Sequence, residues 1–150
     1  MPNVLVLHGP NLQALGSREP DVYGHTTLAE IDRRLNELAT QLGCAVECRQ
    51  SNHEGVLIDA LYAAAGKVDG VLLNPGGLTH TSVALRDAIH AVRLPLVEVH
   101  LSNPAAREPF RTTSLVSGVA AAVVQGFGAD SYLLALRGLL GLLPRSAAHA

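Results

Sequence analysis

Five short runs rich in valine and leucine alternate with segments of helical periodicity, and this alternation limits the possible folds more than any other feature of the chain. The runs are Val4 to Leu7, Ala45 to Arg49, Val71 to Leu73, Leu96 to Val99 and Ala120 to Val124. Strands that are buried on both faces read as continuous apolar runs, and strands joined through helices pair in parallel. The sequence therefore predicts an α/β protein with a doubly wound, five-stranded parallel sheet, for which the common strand order is 2-1-3-4-5.

Four helices are predicted around these strands. The first is the clearest, because Thr27 and Glu30 have the spacing of a capping box, the apolar residues from Leu28 to Leu42 follow helical periodicity, and Gly43 occupies a C-cap position. The other three helices are predicted over Val56 to Ala65, Val83 to Val92 and Ser131 to Leu143. The last of these is too short to span a bilayer and is interpreted as a buried C-terminal helix.

The composition is typical of a single domain, residues 1 to 150, that acts on small molecules. With 48% hydrophobic and 16% charged residues, the chain can bury a core without disulfides or a metal. The formal net charge is -2 and no basic stripe is present, so the sequence implies neither a nucleic acid nor a membrane partner. Cys44 and Cys48 have no flanking zinc ligands and are interpreted as small apolar fillers, a usage that suits the cytoplasm. The sequence also shows no secretory signal.

Polar residues follow the carboxyl ends of several predicted strands, which is where open α/β sheets bind ligands. Asn11 follows the first strand, Asn74 opens the segment NPGGLTHTSVALRDA after the third, and His100 and Ser102 follow the fourth. In the order 2-1-3-4-5 the crevice opens outside strands one and three, so these residues are expected to meet. The segment at Asn74 can also be interpreted as an ordinary turn and helix N-cap.

Two residues have the properties of acid and base groups. His100 lies two positions after Glu98, so both side chains share one face of a strand, and a carboxylate beside an imidazole stabilises the protonated ring. Tyr23 lies in a connection that also carries Arg18. A tyrosine, with a reference pKa of about 10, is a poor base unless nearby cations favour its phenolate. Taken singly, each residue also has a structural interpretation, as a core histidine, a loop anchor or a surface charge.

Together these segments resemble the type II 3-dehydroquinate dehydratases over nearly the whole chain. The matching segments are GPNL, REPDVYG, RQSNHEG, NPGGLTHTSVALRDA, EVHLSN, AREPFR and GFGADSYLLAL, in the order and spacing of the family. The resemblance implies a flavodoxin-like fold and a cytoplasmic lyase (a hydro-lyase), whose dehydration serves either the shikimate pathway of aromatic amino acid biosynthesis or quinate breakdown. Members remove water from 3-dehydroquinate by anti elimination through an enolate intermediate, which gives 3-dehydroshikimate, and they use no cofactor and no metal.

The resemblance also implies which residues take part in removing the proton next to the substrate ketone. Tyr23 matches the base of the family, and Arg18 matches the residue that stabilises the phenolate form of that tyrosine. Arg107 would add positive charge to the same loop. Asn11 matches the residue that stabilises the enolate together with a bound water.

His100, paired with Glu98, matches the acid that protonates the departing hydroxyl.

The remaining matches concern substrate binding. Asn74 and the backbone N–H groups around Leu101 and Ser102 match the site for the substrate carboxylate. The residues that match groups binding the ring hydroxyls are His80 and Arg111.

Family members assemble as trimers packed into a dodecamer, and Asp87 matches a residue that is contributed across a subunit contact. The chain departs from the family at three positions. His8 stands where many members have Asn, and Pro104 and Ala105 replace an aliphatic residue and an aromatic residue or His. These departures affect the expected fine structure of the pocket rather than the expected reaction.

Two other interpretations stay open beside the enzyme. One is a flavodoxin-like module that binds an anion in the same crevice, although the first loop lacks the Ser, Thr and Gly that would wrap a phosphate. The other is a catalytically silent family member kept for its interactions. Such a member would be expected to lose its base, acid or arginine, whereas Tyr23, His100 and Arg18 are all present.

Overall fold

The computed structural model describes residues 1–17 and 19–144 and contains a five-stranded parallel sheet. The strands are β1 (Asn3–His8), β2 (Ala45–Gln50), β3 (Gly70–Asn74), β4 (Leu96–His100) and β5 (Ala122–Gln125). They pair in the order β2-β1-β3-β4-β5. This confirms the predicted fold class and strand order.

The last strand begins later than the sequence predicts. Residue 120 closes a turn, because the Ala120 N–H donates to Val116 O at 3.1 Å, and the first hydrogen bond to β4 follows, from the Ala121 N–H to Leu96 O at 2.8 Å. The sheet ladder of β5 therefore starts at Ala122.

The helices are α1 (Pro20–Tyr23), α2 (Leu28–Leu42), α3 (Glu54–Ala64), α4 (Val83–Val92) and α5 (Asp130–Leu142). Helix α1 is a single turn that the sequence analysis did not predict, since four residues are too few to show periodicity. The predicted bounds of α2 and α4 are confirmed, and α3 and α5 begin two residues and one residue earlier than predicted. Among the described residues, no helix has the length and apolar character that crossing a membrane requires.

The capping box of α2 is only half present. The Glu30 N–H donates to Thr27 Oγ1 at 3.2 Å, as predicted, and Gly43 ends the helix in the left-handed conformation with φ 74°. The Glu30 carboxylate does not point back to the start of the helix but accepts from Arg33 and Arg34. Those hydrogen bonds hold the pKa of Glu30 below its ordinary value.

Two apolar layers sandwich the sheet. Val4 and Val6 face α2 and α5, while Leu5 and Leu7 face α3 and α4, so β1 is buried on both faces. The same alternation holds for β3, which explains why these central strands read as unbroken apolar runs. Helix α5 packs its apolar face on the first layer, as predicted for a buried helix, through Tyr132, Ala135, Leu136 and Leu139.

The loops that follow β1 and β3 touch each other directly. The Gly9 N–H donates to Asn74 O at 2.8 Å. A Cβ atom at Gly9 would lie 2.7 Å from Pro75 O and 2.9 Å from Asn74 O, which is closer than real Cβ contacts. Only glycine therefore allows the two loops to approach this closely.

Substitution of Gly9 by Ala is expected to destabilise the protein by about 1–3 kcal/mol, because the added methyl group overpacks a backbone contact that cannot relax easily. Urea unfolding followed by circular dichroism measures this change. Gly55→Ala is the matched control, since no atom lies within 4 Å of a Cβ at that position. Equal stability losses in the two variants would contradict the argument from close approach.

Candidate active site

A cleft of about 150 Å³ opens at the carboxyl ends of β1, β3 and β4, where the strand order predicts a ligand site. Nine residues that the sequence analysis assigned to the site line this cleft: Asn11, Tyr23, Asn74, His80, His100, Leu101, Ser102, Arg107 and Arg111. The rest of the lining comes from Pro10, Leu12, Gly76, Gly77 and Pro104. The fold thus brings together residues that are up to 100 positions apart in the sequence.

His100 and Glu98 form a buried pair on the face of β4 that is turned towards α4. His100 Nε2 lies 2.5 Å from Glu98 Oε2, and the two side chains are 8% and 1% exposed. Because an ionised carboxylate only accepts hydrogen bonds, Nε2 carries the proton in this contact. The carboxylate therefore sets the orientation of the imidazole at the edge of the cleft.

Three hydroxyl groups complete the environment of Glu98. Thr79 Oγ1 donates to Oε2 at 2.5 Å, Ser117 Oγ donates to Oε1 at 2.5 Å, and Ser114 Oγ donates to Oε2 at 3.2 Å. Burial alone would raise the pKa of Glu98, but the hydrogen bonds from His100, Ser117 and Thr79 and the charge of His100 outweigh it. The pKa of Glu98 therefore lies below its ordinary value, and the carboxylate is ionised at neutral pH.

The lowered pKa of Glu98 predicts a contribution to stability that depends on pH. A carboxyl group with a lower pKa in the folded state stabilises that state fully above its unfolded pKa, and the contribution is lost as the pH falls through the folded value. The free energy of unfolding should therefore decrease on acidification from neutral pH, and it should decrease less steeply in Glu98→Gln. Urea unfolding at a series of pH values measures both slopes, and identical slopes would contradict the assignment.

Tyr23 and Arg107 meet at the mouth of the cleft. The guanidinium carbon of Arg107 lies 5.0 Å from the centroid of the Tyr23 ring, and Arg107 Nη1 donates to Ser102 Oγ at 3.3 Å. Arg107 Nε also lies 3.7 Å from Glu108 Oε1. The guanidinium group is therefore attracted to the face of the ring and places a positive charge beside Tyr23. Arg18, the other predicted partner of Tyr23, lies outside the described residues.

Two asparagines line the cleft from the loops after β1 and β3. Asn11 adopts the left-handed conformation with φ 70°, which Asn tolerates better than most residues, and its N–H donates to Asn52 Oδ1 at 2.9 Å. The Asn74 side chain is nearly buried, and its Oδ1 accepts from the Gly76 N–H at 3.1 Å. The backbone of Asn11 and the side chain of Asn74 are therefore held in place before a ligand arrives.

His80 and Arg111 line the cleft beside the residues described above. His80 Nδ1 donates to Thr113 O at 2.7 Å, and its ring packs edge-on against Phe110 with the centroids 6.2 Å apart. Arg111 Nε donates to Glu108 Oε2 at 3.1 Å. The cleft thus combines amide and imidazole groups with two guanidinium groups, a donor-rich surface that suits an anionic, hydroxylated ligand.

Asp87 is a predicted site residue that the single chain does not bring to the cleft. It lies on α4 and lines a separate surface groove of about 860 Å³ together with Arg86, His90 and Arg93. This position is compatible with a contact across subunits, and the role of Asp87 stays a prediction.

The sequence analysis missed the hydroxyl groups that surround Glu98. Ser114 and Ser117 lie in a segment of 3-10 turns that has no helix or strand periodicity, so nothing in the sequence associates them with β4. Thr79 lies in the quoted segment after β3, but its contact with Glu98 was not predicted. The three hydroxyl groups around Glu98 become apparent only when the segment of Ser114 and Ser117 packs against the sheet.

Cys48 is half-buried and packs against the core, as predicted for an apolar filler, but it also has a polar neighbour. Its thiol donates to the Asp32 carboxylate, and burial followed by the charge of Asp32 raises the pKa of Cys48 far above its ordinary range. His8 Nε2 lies 2.7 Å from Asp32 Oδ1, so the three residues form one polar cluster beside the core. Cys44 is buried in the core, as predicted.

The sheet order defines a flavodoxin-like α/β protein. Its cleft contains the imidazole of the His100–Glu98 pair and the Tyr23 ring beside the Arg107 guanidinium. The chain belongs to the class II dehydroquinase family, because the sequence model of the family described as "Dehydroquinase class II" matches residues 2–140.

Individual relatives agree with this assignment. The chain is 57% identical over 142 residues to a 3-dehydroquinate dehydratase from Desulforudis audaxviator, covering 95% of each chain. It is 59% identical over 141 residues to a 3-dehydroquinate dehydratase from Nostoc sp., covering 94% of this chain and 96% of the relative. The crystal structure of a type II dehydroquinase from Butyrivibrio crossotus superposes with a TM-score of 0.91 at 39% identity, covering 93% and 97% of the two chains.

Proposed function

We propose that this protein is a 3-dehydroquinate dehydratase, a hydro-lyase that removes water from 3-dehydroquinate to give 3-dehydroshikimate. The observation that carries the proposal is the meeting of Tyr23, the His100–Glu98 pair and Asn74 in one cleft. Relatives that are 57% and 59% identical over almost their full length bear the name of this enzyme. The reaction proceeds in one catalytic domain, by anti elimination through an enolate.

Tyr23 is the base of the first step. Its phenolate removes the proton next to the ketone, and the electron pair of the broken C–H bond forms the enolate. Arg107, whose guanidinium carbon lies 5.0 Å from the centroid of the Tyr23 ring, is the cation beside the base in this proposal. Arg18 is the second cation of this loop in the proposal, and Asn11 stabilises the enolate oxygen through a bound water.

His100 is the acid of the second step. The enolate collapses, the C–O bond to the leaving hydroxyl breaks, and a proton from His100 converts that hydroxyl to water, since hydroxide itself is a poor leaving group. Because Nε2 faces Glu98 at 2.5 Å, the transferred proton comes from Nδ1. Glu98 holds the imidazole in the orientation that this proton transfer needs.

The remaining polar groups bind and orient the substrate. The Asn74 amide and the backbone N–H groups near Leu101 and Ser102 hold the carboxylate, while His80 and Arg111 bind ring hydroxyls. Positioning of this kind lowers the barrier because the reacting atoms are already aligned.

The proposal extends to assembly and location. Asp87 lies away from the cleft of its own chain, which suits a contribution to a neighbouring subunit in a trimer, with trimers packed into a dodecamer. Sedimentation of the purified protein gives its mass, and a monomer would contradict the proposed assembly.

The proposed location is the cytoplasm, because the two free thiols suit a reducing compartment.

The test of the proposed function is to mix the purified protein with 3-dehydroquinate and follow the ultraviolet absorbance of the conjugated enone product. One sample is treated with a metal chelator and another with borohydride, which traps a Schiff base. Turnover that survives both treatments supports the enolate route. A folded, fully assembled protein that gives no product would instead indicate a catalytically silent member of the family.

A further inference from the structure

Side chains continue the pairing of β1 and β2 beyond the end of the sheet. His8 and Gln50, the last residues of these strands, pair in register, and the Ser51 N–H donates to His8 O at 3.0 Å. At the next position along the loop, Gln50 Nε2 donates to Gly9 O at 3.2 Å. A backbone carbonyl oxygen only accepts hydrogen bonds, so the amide nitrogen of Gln50 is the atom that faces Gly9.

Asn52 binds the same loop two residues further on. Its Oδ1 accepts from the Asn11 N–H at 2.9 Å and from Gln50 Nε2 at 3.1 Å. Because a backbone N–H only donates, the contact with Asn11 fixes which end of the Asn52 amide faces the loop. Gln50 Nε2 also lies 3.1 Å from Gln13 Oε1, so its two N–H groups serve three acceptors. The hydrogen bonds of this network involve only amide groups, and their directions do not depend on a protonation state.

Asn11 needs such support because of its backbone conformation. Its φ of 70° and ψ of -1° lie in the left-handed region, which residues other than glycine seldom adopt unless the surrounding contacts fix them. The Asn11 N–H is held by Asn52, and the Asn11 carbonyl accepts from the Ala14 N–H at 3.1 Å. The backbone sets the direction of the Cα–Cβ bond, so these contacts decide where the Asn11 side chain lies in the cleft lining.

We infer that Asn52 and Gln50 are positioning residues that hold Asn11 in its left-handed conformation and so fix its amide at the cleft. Neither residue lines the cleft, so both act through Asn11 rather than on a ligand. Both belong to the segment RQSNHEG, to whose residues the sequence analysis gave no role. The inference rests on the proposed function for the role of Asn11 at the enolate but not for the position of the loop.

The kinetic test compares Asn52→Ala with Asn52→Asp, with 3-dehydroquinate as substrate. Asn52→Ala removes the acceptor of the Asn11 N–H and should lower kcat about three- to tenfold, the effect of one hydrogen bond. KM should change little, because Asn11 acts on the enolate, which forms only after the substrate has bound. Asn52→Asp keeps an acceptor oxygen in the same place, so its kcat should stay close to that of the wild type.

A double-variant cycle shows whether the effect passes through Asn11. Asn11→Gly removes the amide while leaving a residue that adopts a φ of 70° freely. In this background Asn52→Ala should have almost no further effect on kcat. Asn36→Ala on α2 is the matched control, since Asn36 is exposed and its amide donates to a backbone oxygen, Asp32 O, at 2.9 Å. Its kcat should equal that of the wild type.

Three kinetic outcomes would overturn the inference. The first is an unchanged kcat in Asn52→Ala, and the second is the same fold-change with and without the Asn11 side chain, which indicates a general structural role. The third is an Asn52→Asp variant as slow as Asn52→Ala, because the acceptor oxygen would then have no importance. If Asn52→Ala does not fold, Gln50→Met replaces it in the cycle, since it removes the donor to Asn52 and keeps the length of the side chain.

A second readout does not depend on activity. Hydrogen exchange of the assembled protein, followed by mass spectrometry, reports the backbone N–H groups of the segment from Gly9 to Leu15. Exchange in this segment should be faster in Asn52→Ala than in the wild type, and unchanged in Asn52→Asp and Asn36→Ala. Unchanged exchange in Asn52→Ala would overturn the inference, whereas a wild-type protein without dehydratase activity would refute only the proposed function.

Discussion

Tyr23→Phe is expected to lower kcat with 3-dehydroquinate by about 10²–10⁴-fold, the usual contribution of a positioned acid or base. The substitution removes the phenol oxygen that takes the substrate proton and leaves the ring under Arg107 in place. Because the ring still packs against the core, the fold and the affinity for substrate should change little. The initial rate of enone formation measures the loss.

Tyr62→Phe is the matched control for this experiment, since Tyr62 is 54% exposed on α3 and far from the cleft lining. Its kcat should equal that of the wild type. Circular dichroism and sedimentation establish that both variants are folded and assembled. Substantial residual turnover in Tyr23→Phe would remove Tyr23 from the role of base.

Glu98→Ala is expected to have the largest effect on stability. It leaves the hydroxyl groups of Thr79, Ser114 and Ser117 and the Nε2–H of His100 without their shared acceptor at a site where Glu98 itself is 1% exposed. Breaking a buried ionic pair by removing one partner costs about 3–5 kcal/mol. Activity should fall as well, since His100 loses the group that orients it.

Urea unfolding at neutral pH tests this expectation, with Glu47→Ala on β2 as the control because its side chain is 61% exposed. The control should unfold at the wild-type urea concentration. A Glu98→Ala variant as stable as the control would show that the hydroxyl groups find other partners, and the pair would then contribute little to the fold.

Most of the fold could be predicted from the sequence because its signals are local. The apolar runs of β1 and β3 and the periodicity and caps of α2 arise from neighbouring residues, and their predicted bounds differ little from those observed. The errors occur where the local signal is weak. Helix α1 is a single turn, and the start of β5 depends on a hydrogen bond between Ala121 and Leu96.

The candidate site could be predicted in part for the same reason. Asn11, Asn74 and His100 follow strands whose ends must meet at one edge of a parallel sheet, so their convergence in the cleft was expected from topology. The relation of Glu98 to His100 follows from the two-residue period of a strand. The resemblance to the family added the roles of these residues, which stay predictions.

The sequence by itself determined the class of fold, the edge of the sheet that carries the cleft and the family of the chain. Only the tertiary structure decided which buried groups lie behind the site: the hydroxyl groups around Glu98, and the hydrogen bonds of His8 to Asp32 and Tyr132. The physical reason is that strand and helix patterns depend on residues close in the chain. A buried hydrogen bond instead depends on which distant side chains packing brings within about 3 Å, and no local pattern records that distance.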